Sequence, residues 1–178
     1  METEARDSLG RQIVDRSTLH GEFTLRSGAV SNIYFDKYLF EADPGMLKSI
    51  AAGLAPLIPS DAQALAGLEM GGIPVATMLS QHCGLPALFV RKKAKKYGTC
   101  KLAEGGEVEG RKLVIVEDVV TSGGQILISA KDLRDLGAEI SVVVCVIDRE
   151  AGGAESLAQE GLELRPLYRI SELQALEK

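Results

Sequence analysis

Residues 112–125 read KLVIVEDVVTSGGQ. Leu113, Val114, Ile115 and Val116 form an apolar, mostly β-branched run of the right length for a buried strand. Two carboxylates follow directly, Glu117 and Asp118, and then a turn of small residues, Thr121-Ser122-Gly123-Gly124. Beyond the turn the spacing becomes helical, with Ile126, Ala130 and Leu133 on one face. A strand that passes through an acidic pair and a glycine turn into a helix is a βα unit. Chains built from such units fold as α/β domains with a mainly parallel sheet and crossover helices.

The turn has a chemical use. A helix start carries unpaired N–H groups and partial positive charge, so it suits an anion such as phosphate. Glycines let the backbone approach that anion closely, and Thr121 and Ser122 add hydroxyl donors. The acidic pair just upstream can accept hydrogen bonds from sugar hydroxyls or face a hydrated Mg²⁺. Phosphate, sugar and metal side by side point to a phosphorylated ribose. No G-x-x-x-x-G-K-[ST] occurs in the chain, and the turn is not G-x-G-x-x-G, which argues against a P-loop and a dinucleotide fingerprint. The same pattern also serves an ordinary strand-to-helix connection capped by Thr and Gly. Two acids directly after four buried-type residues count against that reading, because unpaired buried carboxylates are costly.

The length of 178 residues fits one domain with room for a core, and 46% hydrophobic content with balanced charge fits a soluble globular protein. No apolar run approaches a membrane span, and the opening METEARDSLGRQ lacks the apolar core of a secretory signal. Cys83, Cys100 and Cys145 have no metal-type spacing and read as free thiols in a reducing cytoplasm. The net charge of −5 argues against a general nucleic-acid binder.

In chain order, residues 6–20 fit an amphipathic helix with Leu9 and Ile13 on one face. In 21–40, Phe23 and Leu25 alternate with polar residues, Ser27-Gly28 is a turn, and Ile33-Tyr34-Phe35 opens a second strand, so a hairpin precedes the main fold. Phe23, Tyr34, Phe35, Tyr38 and Phe40 lie near Arg26 in sequence. They suit either the cover of a flat heterocycle or the core of a small hairpin. Asp43-Pro44 starts a helix carrying Leu47, Ile50, Ala51 and Leu54 and ending near 56–59. Residues 64–68 are a short strand. Glu69-Met70-Gly71-Gly72 then turns into a helix ending near Gly84, at a strand's C-terminal end, where open α/β sheets bind ligands.

A strand over 85–90 leads into RKKAKKYGTCKLAEGGEVEG, residues 91–110, a long mobile loop. Arg91, Lys92, Lys93, Lys95, Lys96 and Lys101 stand there with no acid among them. This cluster fits a solvated face, a nucleic-acid patch, or a lid closing on a polyanion. A helix over 124–136 ends at Gly137, and a β-branched strand over 139–147 follows. Arg149 at that strand's end can grip a carboxylate bidentately or pair with Asp148 or Glu150. A helix over 152–160, a last strand over 162–170 and a capping box Ser171–Gln174 complete the chain.

VIVEDVVTSGG resembles the 5-phosphoribosyl 1-pyrophosphate (PRPP) motif of type I phosphoribosyltransferases. FTLRSGAVSNIYFD is similar to the N-terminal signature of the orotate phosphoribosyltransferases, with Arg26 where lysine is usual. R-K-x-x-K-x-[HY]-G, starting at Arg91, is similar to that family's catalytic loop, with Tyr97 where many members have histidine. The D-R-x at Asp148 matches as well, and the motifs stand in order across 21–40, 67–76, 91–98, 113–125 and 147–150.

The resemblance implies a type I phosphoribosyltransferase fold over 1–178, a hood over 1–42 and a mobile catalytic loop over 91–110. It implies transfer of the phosphoribosyl group of PRPP to orotate, giving orotidine 5′-monophosphate and pyrophosphate in pyrimidine synthesis. Lys95, Glu117 and Asp118 are then catalytic. Arg26, Gly71, Gly72, Arg91, Lys92, Lys95, Tyr97, Glu117, Asp118, Val119, Val120, Thr121, Ser122, Gly123, Gly124 and Gln125 meet PRPP. Tyr34, Phe35, Thr121 and Arg149 meet orotate. Mg²⁺ is carried mainly by PRPP and water. A cytoplasmic homodimer is implied, with loop 91–110 reaching the neighbouring subunit's site, and neither nucleic acid nor membrane as partner. A purine or other salvage phosphoribosyltransferase is an alternative, against which the N-terminal signature and Arg149 speak. A PRPP-sensing regulator that binds nucleic acid is another, against which the acidic net charge and the intact lysine loop speak.

Overall fold

A computed structural model describes residues 2–24, 28–98 and 100–176. Helix α1 (Thr3–Ser17) turns Leu9, Ile13 and Val14 inward, the face that the Leu9/Ile13 spacing predicts. It stops short of residue 20 because strand β1 (Thr18–Thr24) already pairs antiparallel with β2 (Val30–Phe35) at Thr18, Leu19 and His20. This hairpin is a two-stranded sheet of its own. The short α2 (Tyr38–Glu41) buries Phe40 and Glu41. Asp43 caps α3 (Pro44–Leu54) as predicted, its Oδ1 accepting from the amides of Gly45 and Met46 at 3.0 Å each.

The main sheet is built from β3 (Ala64–Leu68), β4 (Ala87–Val90), β5 (Ala103–Glu104), β6 (Lys112–Val120), β7 (Glu139–Asp148) and β8 (Glu163–Arg169), in the spatial order β5-β4-β3-β6-β7-β8. All pairings are parallel except β4 with β5. The connecting helices are α4 (Gly72–Cys83), α5 (Gly124–Asp135) and α6 (Gly153–Gln159), and α7 (Ile170–Leu176) closes the described chain. Gly84 and Gly137 take positive φ after α4 and α5, the helix ends read from the sequence.

Alternate residues of β6 and β7 face opposite sides, and both sides are covered, which is why these strands read as nearly unbroken apolar runs. Val114, Val116, Val142 and Val144 pack with Leu9, Ile50 and Leu79 from α1, α3 and α4. Leu113, Ile115 and Val143 pack with Ile126, Ala130, Leu133 and Leu157 from α5 and α6. The parallel strands therefore present their carboxyl ends along one edge, near residues 68, 90, 120 and 148.

Two local expectations change. The 91–110 segment is not one open loop, because Ala103 and Glu104 pair with Val90 and Phe89 and tie its second half to the sheet. The capping box at Ser171–Gln174 does not form, since α7 already begins at Ile170. Instead the Ser171 amide donates to Glu150 Oε2 at 2.9 Å, and Glu172 Oε2 accepts from the Arg169 amide at 2.7 Å.

Candidate active site

Strand β6 carries its apolar residues through the sheet and emerges at the carboxyl edge as Glu117–Val120. The turn that follows enters α5 through Gly123, whose φ of 75° lies in the left-handed region that side chains resist. No side chain caps α5, so its first-turn amides stay available to a ligand instead of to Thr121 or Ser122. Both hydroxyl residues are exposed. The turn floors a cleft of ≈ 530 Å³, lined by residues 117–126 together with Lys37, Tyr38, Glu69, Met70 and Lys92.

The acidic pair is unequal. Asp118 is fully buried; its Oδ1 accepts from the Val119 amide at 2.5 Å and its Oδ2 is ion-paired with Lys37 Nζ. Burial works against its charge, but hydrogen bonds from Glu117 and Glu41, and Lys37 itself, hold its carboxyl below the ordinary value. Glu117 Oε1 accepts from the Asp118 amide at 3.3 Å. Burial, then the nearby Asp118, push the Glu117 carboxyl well up. The negative charge of the pair is thus concentrated on Asp118. Lys37 is raised: burial lowers it, and the hydrogen bond and charge of Asp118 more than offset this.

Gly71 and Gly72 act by what they lack. A Cβ on Gly71 would stand 1.6 Å from Asp118 Oδ2, and one on Gly72 would stand 2.3 Å from the Val116 carbonyl oxygen. The turn from β3 into α4, which includes a cis Glu69–Met70 peptide, can lie against the end of β6 only with glycine at both positions.

The basic segment is drawn partly to the cleft and partly away from it. The Lys92 amide donates to Glu69 Oε1 at 2.5 Å, which sets Lys92 on the cleft wall. Lys95 Nζ is instead paired with Glu104 Oε1 of β5 at 2.5 Å, and Arg91 Nε lies 3.8 Å from the same oxygen. The Tyr97 ring is exposed, 5.7 Å from Lys95 Nζ.

The residues expected to meet orotate stand outside the cleft lining, Thr121 excepted. Tyr34 is exposed and stacks at 5.5 Å on Phe23, and Phe35 leans on Phe40 at 6.4 Å. Of the hairpin aromatics, Phe35 is turned to the core, as the core reading has it, and Tyr34 faces outward. Arg149 is exposed, and its amide donates to the Val120 carbonyl at 2.8 Å, which holds it beside the turn. Among the described residues it makes no ion pair with Asp148 or Glu150; the Glu150 amide donates to Asp148 Oδ1 at 2.9 Å. Arg26 lies outside the described residues.

Sequence reasoning pointed to the turn at Glu69-Met70 and to Tyr38 without assigning them a ligand role, and it missed Lys37 as lining and Glu41 as a neighbour of Asp118. Lys37 carried one signal, a cation directly after the aromatic strand of the N-terminal signature. Among the described residues no cluster of His, Cys, Asp and Glu has the form of a metal site.

Residues 45–163 match the family described as "Phosphoribosyl transferase domain". An orotate phosphoribosyltransferase of Nocardioides sp. is 54% identical over 157 residues, covering 88% of each chain. Among solved structures, the orotate phosphoribosyltransferase of Mycobacterium tuberculosis H37Rv in complex with inorganic phosphate superposes with a TM-score of 0.86 at 30% identity, over 96% of this chain and 99% of that one. The same Mycobacterium tuberculosis enzyme in complex with PRPP gives a TM-score of 0.83 at 29% identity, over 96% and 99%. No helix among the described residues is long and apolar enough to cross a membrane.

Proposed function

The chain belongs to the phosphoribosyl transferase domain family, and within it to the orotate phosphoribosyltransferases, and from that premise we infer how its cleft performs the transfer. The enzyme moves the 5-phosphoribosyl group of PRPP to orotate, releasing pyrophosphate and forming orotidine 5′-monophosphate in pyrimidine synthesis. The observation that carries the site assignment is the uncapped turn at 121–124, which floors a cleft with Lys37 and Lys92 on its walls.

The 5′-phosphate sits on the first-turn amides of α5 with the Thr121 and Ser122 hydroxyls, where the helix dipole favours an anion. Glu117 and Asp118 take the ribose hydroxyls, with Asp118 the stronger acceptor, as its lowered carboxyl and the raised one of Glu117 support. The C1–O bond to pyrophosphate breaks, an oxocarbenium-like centre develops, and orotate N1 attacks from the opposite face. No side chain forms a covalent bond with the sugar, so catalysis is positioning and charge stabilisation. Lys92, with Arg91 and Lys95 once they leave Glu104, neutralises the leaving diphosphate. Arg149 clasps the orotate carboxylate with its planar fork, and Tyr34 covers the base.

We propose that Mg²⁺ would be bound together with PRPP, a hard cation that suits oxygen ligands. When bound it supplies charge neutralisation on the diphosphate. We further propose a cytoplasmic homodimer in which the 91–110 segment of one subunit serves the cleft of the other.

Ultraviolet absorbance of orotate, followed with PRPP and Mg²⁺, tests the reaction. Orotate loss that requires both is expected, with no turnover of uracil, adenine, guanine, hypoxanthine or xanthine. Turnover of a purine but not of orotate would overturn the assignments of Tyr34 and Arg149.

A further inference from the structure

Glu41 is 6% exposed, the last residue of α2, and belongs to none of the motifs described above. Its carboxyl points into the space beside Gly71. An ideal Cβ on Gly71 would stand 1.6 Å from Asp118 Oδ2 and 2.9 Å from Glu41 Oε1, so the two carboxyl groups meet in the volume that this missing side chain leaves. Among the described residues no hydrogen-bond donor reaches Glu41 Oε1. A buried oxygen facing a second carboxyl group with no donor at hand leaves one economical arrangement, in which the proton is Glu41's own and is shared with Asp118. Burial and the neighbouring Asp118 favour that neutral form, raising Glu41 to about 9. The charged groups acting on it are Asp118 from β6 and Lys37 and Asp36 from the segment before α2. Asp118 Oδ2 also meets the Lys37 ammonium, and Lys37 lines the cleft.

We propose that Glu41 is a positioning residue for the transfer: it donates a hydrogen bond to Asp118 beside Gly71 and, together with Lys37, holds that carboxylate in the orientation that meets the ribose of PRPP. Asp118 is further held by the Val119 amide and by Glu117. A carboxylate already held in place needs no rearrangement when the sugar arrives. The proposal rests on the reading of Asp118 as a ribose-binding group.

The test compares three purified full-length variants in the orotate assay, with kcat and both KM values measured and melting temperatures recorded. Glu41→Met keeps the length of the side chain and removes its hydrogen bond. Glu41→Gln keeps a neutral donor. Asp118→Asn removes the carboxylate. Glu41→Met should fold at least as well as the wild type, since a buried acid is replaced by an apolar group of similar shape. Its kcat/KM for PRPP should fall about ten- to hundredfold while the orotate KM stays put, and Glu41→Gln should recover most of the loss. If Glu41→Met does not fold, Glu41→Leu replaces it in the same comparison. Equal damage from Met and Gln, or a Met variant indistinguishable from wild type beside a crippled Asp118→Asn, would overturn the role of Glu41 alone. An Asp118→Asn variant with normal PRPP kinetics would overturn the ribose reading and this proposal with it.

Discussion

Arg149 has no acidic partner among the described residues, so its removal takes no ion pair from the fold. Arg149→Ala should therefore leave the melting temperature unchanged and raise the orotate KM about ten- to hundredfold, the scale of a lost charge-assisted bond. A lowered melting temperature with a normal orotate KM would make Arg149 structural. Gly71 behaves oppositely, since its substitution must move something: Gly71→Ala puts a methyl group 1.6 Å from Asp118 Oδ2. The Asp118 carboxylate would shift, and displacement of about an ångström can cost a hundredfold in rate. A folded Gly71→Ala enzyme with wild-type kcat would refute the packing argument. The acidic pair and the glycine turn were legible in the sequence because their chemistry is local, carried by consecutive residues. Lys37 and Glu41 were not. Glu41 follows no motif, Lys37 has as its signal the aromatic strand just before it, and their partner Asp118 reaches them only after β6 has been threaded into the centre of the sheet.

The elements were legible where a run and its boundary signals agreed. The apolar runs of β6 and β7 and the Asp43-Pro44 cap of α3 form as read. Boundaries failed where pairing with a distant segment outbid local preference, at Thr18 and at Ala103. The second case has a functional consequence. By pairing with β4, the two-residue β5 places Glu104 where it can hold Lys95 and Arg91. The cations proposed to stabilise the leaving group are therefore engaged with Glu104, and on that proposal PRPP binding must compete with it. Glu104→Gln should lower the PRPP KM, by about two- to fivefold for a partly exposed pair. An unchanged or raised KM would show that the Glu104 contact does not oppose binding. Lys95→Ala should lower kcat by about a hundredfold or more, since the interaction it removes strengthens as the diphosphate departs, with orotate affinity preserved. Unchanged turnover would remove Lys95 from the mechanism.

At the scale of the whole molecule, the cleft is built on a sheet with apolar packing on both faces, whereas the basic stretch up to Lys101 is joined to it by polar contacts, and Leu102, Ala103 and Val108 anchor the rest of the segment in the core. Motion is therefore expected in the basic stretch and not in the turn proposed to hold the phosphate. Lys95 bonds within its own segment and does not line its own subunit's cleft, so it reaches a cleft by swinging inward or by serving the second subunit of a dimer. Two inactive variants separate these routes. Lys95→Ala lacks the segment's cation and keeps an intact cleft; Asp118→Asn lacks the cleft carboxylate and keeps an intact segment. In a mixed dimer with exchanged segments, one site has both defects and the other has neither. Random co-assembly gives equal numbers of mixed and parental dimers, so about a quarter of wild-type activity should return on co-expression. If each segment serves its own cleft, every site keeps one defect and activity stays at the level of the separate variants.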